Sequence, residues 1–224
     1  ITGLRLRGSS GSTDEGYTTG TLENLQYHAF PEPQGIWIHE NPTTRSIIID
    51  HNDMSNFRGA AIYVSEETEL KVCVSHTSRP HLSRVARNFI HRNRMQGAGY
   101  GVNASHGGYP LIEGNTFVSN RHAIKAGGEK HTGYRAWDNL VLSEAPLQHG
   151  LFYTQDFDMH GTDDSLGESG VGGDGGQYIE IARNTFLGDN RENFDLRGAP
   201  CFPADFHHNV SLRSLDDAVA CTIC

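Results

Sequence analysis

No run of apolar residues in the chain approaches the roughly 20 that a membrane-crossing helix needs, which excludes a helical membrane partner. The chain opens on Ile1-Thr-Gly-Leu-Arg-Leu-Arg-Gly8 without a signal-peptide pattern, so it reads as soluble and either processed or cut from a longer protein. Positive charge is scarce. The 18 lysines and arginines, three of them lysines, face 27 carboxylates for a net charge of -9. Such a balance speaks against nucleic acid, whose binding needs a basic surface to replace phosphate counterions. No Gly-x-Ser-x-Gly elbow and no Gly-x-x-x-x-Gly-Lys-Ser/Thr loop is present, which removes serine-triad and phosphate-loop chemistry. Cysteine is limited to Cys73, Cys201, Cys221 and Cys224, and one Cys-x-x-Cys without a second pair does not make a zinc ribbon. Disulfides or buried thiols are the remaining readings.

What the chain does have is glycine, 26 residues of it, and recurrent Asn, Asp, Ser and Thr against an apolar content of 36%. That composition favours short strands joined by tight turns over long helices. One unit recurs: a short apolar strand, then Asn-x-apolar, then a polar turn and a second strand. Its copies centre on Asn52, Asn88, Asn115, Asn139, Asn184 and Asn209, at steps of 36, 27, 24, 45 and 25. One coil is therefore expected to take about 24 residues, and the long step is two coils or one coil with a large insertion. Inserted loops are expected near 66–80 and in the glycine-rich 161–176, within a single domain over 1–224. Asparagine suits such a corner twice over, because it tolerates the left-handed conformation and its amide can ladder at the ~4.8 Å strand spacing. Three positions earlier stand Ile49, Val85, Ile112, Ala136, Ile181 and Phe206, an expected inward column.

Turns of the form Asn-x-Phe/Val/Met at this period resemble the pectin-lyase-like superfamily over about 44–212. The resemblance implies an all-β fold, a right-handed parallel β-helix. Its members include polysaccharide lyases, glycoside hydrolases, epimerases, adhesins and non-catalytic filaments, so it implies an architecture more than an activity.

The strands after each corner are read at 35–39, 60–64, 100–104, 123–126, 150–153 and 193–197. Alternation points Ile36, Ile38, Ile62, Val64, Val102, Ile124, Phe194 and Leu196 inward. It sends Trp37, His39, Tyr63, Asn103, Lys125, Asp195 and Arg197 outward. In 155–160 the same rule places Asp156, Asp158 and His160 outside, with Phe157 and Met159 inside. Rings for sugar faces, polar groups for hydroxyls and titratable groups for chemistry would then share one face. Trp37, His39, Tyr63, Asn103 and Asp195 are the expected substrate-binding residues.

Two chemistries fit the expected catalytic set of Asp156, Asp158, His160, Lys125 and Arg197. Residues i and i+2 of a strand lie about 6.7 Å apart, within the ~6.5–9.5 Å of inverting glycosidase carboxyls, so Asp156 and Asp158 suit hydrolysis. A lyase would instead use Lys125 or His160 as the base beside a uronate carboxylate, with Arg197 offsetting the developing charge. The acidic surroundings favour a neutral glycan, although Arg79, Arg84, Arg87, Arg92 and Arg94 leave room for an acidic one. Calcium is the one cofactor considered: Asp156-x-Asp158-x-His160-Gly161 opens like an EF-hand loop, then fails, with Gly167 at the twelfth position. His207 and His208, being adjacent, are not expected to chelate one ion from a regular strand.

The expected partner is a polysaccharide met outside the cell, by a secreted or cell-surface protein. The alternative is a structural or adhesive β-helix without catalysis. Convergence of Lys125, Asp158, His160 and Arg197 would distinguish the two. Cys201 is expected to bridge to Cys224 or Cys221 over one coil, with Cys73 free or paired to the remaining cysteine.

Overall fold

The computed structural model describes residues 1–8, 34–40, 46–66, 72–73, 83–94, 98–142, 155–162, 171–188, 192–214 and 218–221. They form three parallel sheets with essentially no helix, the arrangement of a parallel β-solenoid. The first sheet stacks β1 (Arg5–Arg7), β4 (Asp53–Ser55), β7 (Phe89–His91), β10 (Thr116–Val118), β13 (Leu140–Leu142), β16 (Thr185–Phe186) and β19 (Val210–Ser211). The second stacks β2 (Ile36–Glu40), β5 (Ala60–Glu66), β8 (Tyr100–Ala104), β11 (His122–Ala126), β14 (Phe157–Met159), β17 (Phe194–Leu196) and β20 (Val219–Cys221). The third stacks β3 (Ile47–Asp50), β6 (Ser83–Ala86), β9 (Leu111–Glu113), β12 (Tyr134–Trp137), β15 (Ile179–Ala182) and β18 (Asp205–His207). Each coil visits the three sheets in turn. Among the described residues no helix is long and apolar enough to cross a membrane.

Ile49, Val85, Ile112, Ala136, Ile181 and Phe206 stand in one register column of the third sheet. They face the inward residues of the second sheet in one continuous core. Aromatic rings fill its later coils, with Phe157 meeting Phe186 edge-on at 5.1 Å and Phe186 stacking on Phe206 at 6.2 Å.

The six repeat asparagines do form a ladder, between the third and first sheets. In each, the side-chain amide donates to the Oδ1 of the next, at 2.9 to 3.1 Å across steps of 36, 27, 24, 45 and 25 residues. Asn139 bonds Asn184 directly, so the 45-residue step is one coil with an insertion. The backbone amide of each asparagine donates to that same Oδ1, which ties the corner's main chain to the ladder. The left-handed conformation, expected at the asparagine, falls one residue earlier. His51, Arg87, Gly114, Asp138, Arg183 and His208 have φ between 54° and 61°. The preceding residue turns the corner and leaves the asparagine free to point inward and stack. A shorter ladder, absent from the sequence reading, joins Phe57 N–H to Asn93 at 2.9 Å and Asn93 to Asn120 at 2.8 Å.

Two expectations change. Cys201 bridges to Cys73, with a Cα separation of 5.7 Å and 128 residues between them, rather than to a cysteine at the end of the chain. Cys73 lies in the insertion after β5 and bonds a residue several coils later, so sequence offset along one coil is no guide to the partner. Cys221 is also disulfide-bonded. Disulfides are weak support for an extracellular setting. The glycine-rich segment, read as a loop, is backbone packed on backbone where it is described: Gly172 donates to Arg197 O, Gly175 to Ala199 O and Gly176 to Gly128 O. A Cβ on Gly161 would lie 2.1 Å from Gly172 O, so the close approach requires glycine there. The remainder of that insertion, the expected loop at 67–71 and 74–80, and the strand expected at 150–153 lie outside the described residues.

Asn115 is buried and holds bonds to Asn139, Val85 O and the Asn88 backbone, whereas Asn209 is half-exposed. Asn115→Ala leaves several buried groups unpaired and should cost about 2–4 kcal/mol in urea unfolding, against about 1 kcal/mol for Asn209→Ala, where water replaces the amide. Equal, small losses at both positions would remove the ladder as the source of register.

Candidate functional site

Parallel register turns single residues into columns ~4.8 Å apart. On the outer face of the second sheet, Trp37 pairs with Tyr63, Tyr63 with Asn103, Asn103 with Lys125, Lys125 with Asp158 and Asp158 with Asp195. Five steps make a strip of about 24 Å. At one end Trp37 is 60% exposed, edge-on to Tyr63 at 5.4 Å and stacked on His39 at 4.8 Å, with its Nε1 donating to Ser65 Oγ. Flat rings are therefore presented to solvent where the strip begins.

Titratable groups gather at the other end. Asp158 is fully buried in β14, and Arg197, one residue beyond β17, grips it through Nε to Oδ1 at 3.0 Å and through Nη2 to Oδ2. His160 Nε2 lies 2.8 Å from that Oδ2, and His122 Nε2 lies 3.5 Å from it. Arg197 also reaches Asp195 at 3.3 Å, whose Oδ2 accepts from Gln155. Burial raises the Asp158 carboxyl, but His160, His122 and Arg197 overcome this and hold it well below the usual carboxylate range. The effects on the imidazoles run the other way. Burial pushes His122 well below its ordinary value and lowers His160 despite the neighbouring carboxylate.

Lys125 differs from all of these. Among the described residues no hydrogen bond or ion pair reaches its ammonium, although Asp158 is its register neighbour. Burial lowers its proton affinity, Glu129 and Asp158 oppose that, and the charges of Arg197 and Arg121 add to it.

Asp156 is not on this face. It is fully buried and lines a small pocket with Phe117, Ser119, Asn120, Ala123, Val141 and Leu142, its Oδ2 accepting from Asn193 at 2.8 Å. The expected Asp156–Asp158 acid–base pair does not form, because strict alternation fails at the start of these strands. Ala123 and Ile124 both donate to the Asp156 carbonyl, at 2.8 and 3.1 Å, and both lie in the core. Such a kink, like a β-bulge, sets two consecutive residues inward and re-aims the one before. Here it brings His122 onto the outer face, where it stacks on Tyr100 at 5.6 Å and meets His160 edge-on.

His122 and Tyr100 are functional candidates that alternation assigns to the core. A signal was available in the small residues Ala61, Gly101 and Ala123, each directly before an inward Ile or Val. Of the arginine-rich stretch, Arg79 lies outside the described residues and three of the others are engaged separately. Arg84 pairs with Glu113 on the third sheet, Arg87 with Asp50 at a corner, and Arg94 donates to Ser119 O. His207 and His208 do approach, Nδ1 to Nδ1 at 2.7 Å, because His208 leaves the strand conformation with φ 55°. No family model, curated protein or solved structure matches the chain. What the face does must come from its own residues.

Among the described residues, one group of histidines and carboxylates suits a metal by geometry. Ligand atoms of His122, Asp158 and His160 lie within 4.8 Å of one another. Calcium, the cation expected from the sequence, takes oxygen ligands and fits two imidazoles poorly.

The Arg197–Asp158 contact is a buried ion pair, with the Arg197 side chain 14% and Asp158 0% exposed, whereas the Arg183–Asp138 pair is 52% and 54% exposed. Arg197→Met should therefore destabilise the protein by about 3–5 kcal/mol, because it strands a buried carboxylate. Arg183→Met should cost less than about 1 kcal/mol. Urea denaturation of both variants checks the contrast.

Proposed function

We propose that the outer face of the second sheet binds an acidic polysaccharide along the stack of coils and cleaves it by β-elimination, outside the cell. The observation that carries this reading is Lys125, a partly buried amine without a hydrogen-bond partner among the described residues, beside the Asp158–Arg197 cluster. A half-buried amine gives up part of its hydration without gaining an ion-pair partner, so it is not held in its charged form. It is instead suited to accept a proton.

In the proposed step, neutral Lys125 Nζ takes the proton from the carbon beside the uronate carboxylate. The C–H electron pair becomes the new C=C bond, the bond to the glycosidic oxygen breaks, and that oxygen leaves with a proton returned from Lys125. No water is consumed. Arg197 and Arg121, whose charges act at Lys125 against those of Glu129 and Asp158, are the cations available to the sugar carboxylate and to the charge that develops on it. Trp37 and Tyr63 offer ring faces to sugars further along the strip. Hydrolysis is the weaker reading, because it needs a carboxyl that holds its proton near neutrality. Asp158 is kept ionised and Asp156 faces the interior. The net acidity of this half of the chain misleads here, since Asp158 and Asp195 are both engaged by Arg197.

Incubation with a panel of polyuronates should generate unsaturated-uronate absorbance, and Lys125→Arg should lower the rate by about 10²–10⁴-fold. The rate should rise with pH as Lys125 loses its proton and level off below the ordinary lysine value of 10.5, since burial depresses it. New reducing ends without absorbance would turn the reading to hydrolysis. Full activity in Lys125→Arg would move the base elsewhere.

A further inference from the structure

The ring of His122 is fully buried, and its two nitrogens are not equivalent. Nδ1 lies 3.0 Å from the carbonyl oxygen of Gln155, which can only accept, so Nδ1 carries the proton. The lone pair of the neutral ring is then on Nε2. That atom is buried, has no hydrogen-bond partner, and faces the ionised Asp158 Oδ2 at 3.5 Å. The two atoms are buried with no hydrogen bond between them, at a separation that one cation can bridge. Opposite them, His160 Nε2 lies 2.9 Å from Arg197 Nη2 and 2.8 Å from Asp158 Oδ2, so a second imidazole nitrogen converges on the same carboxylate oxygen. The cluster is arranged for a cation.

We propose that His122, Asp158 and His160 hold a divalent transition-metal ion of the zinc type. Two ligand atoms each ~2.0–2.1 Å from zinc in tetrahedral geometry are about 3.3 Å apart, close to the His122–Asp158 separation. Imidazole nitrogens with one carboxylate select zinc or its first-row neighbours over calcium and magnesium. The outer partners of such a site are already in place. The Gln155 carbonyl fixes the His122 tautomer, and Arg197 Nε holds Asp158 Oδ1 at 3.0 Å, leaving Oδ2 for the metal. Entry of the ion would displace Nη2 of Arg197 from Oδ2 and from His160, while Nε keeps its bond to Oδ1. Three protein ligands leave a position for water or a substrate oxygen on the strip beside Lys125. Metal binding stands whether or not the strip takes a glycan, and its test needs no activity.

Protein stripped with EDTA and titrated calorimetrically with zinc chloride should bind one equivalent at this site. Cobalt(II) in its place should give the visible absorption of an imidazole-ligated ion. His122→Phe keeps the ring stacked on Tyr100 and removes Nε2, and it should weaken zinc binding about a hundredfold. His160→Ala, at the more exposed position, should do the same and serves if His122→Phe fails to fold. The pair His207→Ala/His208→Ala should leave binding unchanged. Absence of zinc binding in the wild type, its survival in the folded His122 or His160 variant, or its loss in the His207/His208 pair would each overturn the assignment.

Discussion

A carboxamide that both donates and accepts in one plane can stack on its own kind indefinitely, and the asparagine ladder uses this property to fix the vertical register of the solenoid. Each Oδ1 receives two N–H groups, one from the side chain and one from the backbone of the preceding coil, so a slip of one residue would break both bonds. Coils that differ by as much as 21 residues between their ladder positions, 24 against 45, still stack, because the ladder reads only the corner and not the path between corners. Insertions are thereby confined to places where no register is at stake. Burial of the carboxamides in nearly apolar surroundings makes the arrangement strict, since an amide left without a partner there is costly.

Register at the corner becomes chemistry on the second sheet. Because strands are parallel and aligned, residues from coils separated by tens of positions in sequence are delivered to one spot: His122 from β11, Asp158 from β14 and Arg197 from the end of β17. The kink at the start of these strands adds a third column, in which His122 stands beside Tyr100, to those that alternation provides. A regular strand would have buried His122 in the core among aliphatic residues. The irregularity thus supplies the donor set that distinguishes this face from the others.

Much of this was legible. The repeat located all six ladder asparagines and the inward column three residues before them, because a period-2 strand ending at a fixed corner leaves few choices. The outward series Trp37, Tyr63, Asn103, Lys125 and Asp195 followed from the same rule. Asp156 was misplaced and His122 missed because alternation is a rule about regular strands, and two neighbouring residues sharing one carbonyl acceptor break it. The left-handed residue was assigned to asparagine from its intrinsic tolerance, whereas arginine, aspartate and histidine take that conformation here and asparagine is reserved for the ladder. The Cys73 bridge depends on where a long insertion travels, which no local pattern encodes.

Charge counting also needed the fold. This half of the chain is acidic by composition, yet in space its central carboxylate is surrounded by a guanidinium and two imidazoles, and the next carboxylate in the column is bound by the same arginine. The residual field at Lys125 is therefore set by what those pairs leave over, not by the sum of residues along the chain. Two arginines act there to lower its proton affinity while Asp158 and Glu129 act to raise it, so the net effect follows burial, the largest influence on the amine. A half-buried amine, beside an anion in register but not bonded to it, can change its protonation without disrupting the pair that supports it. That separation between the group able to titrate and the groups that hold the architecture is what lets one strip of a rigid solenoid carry both.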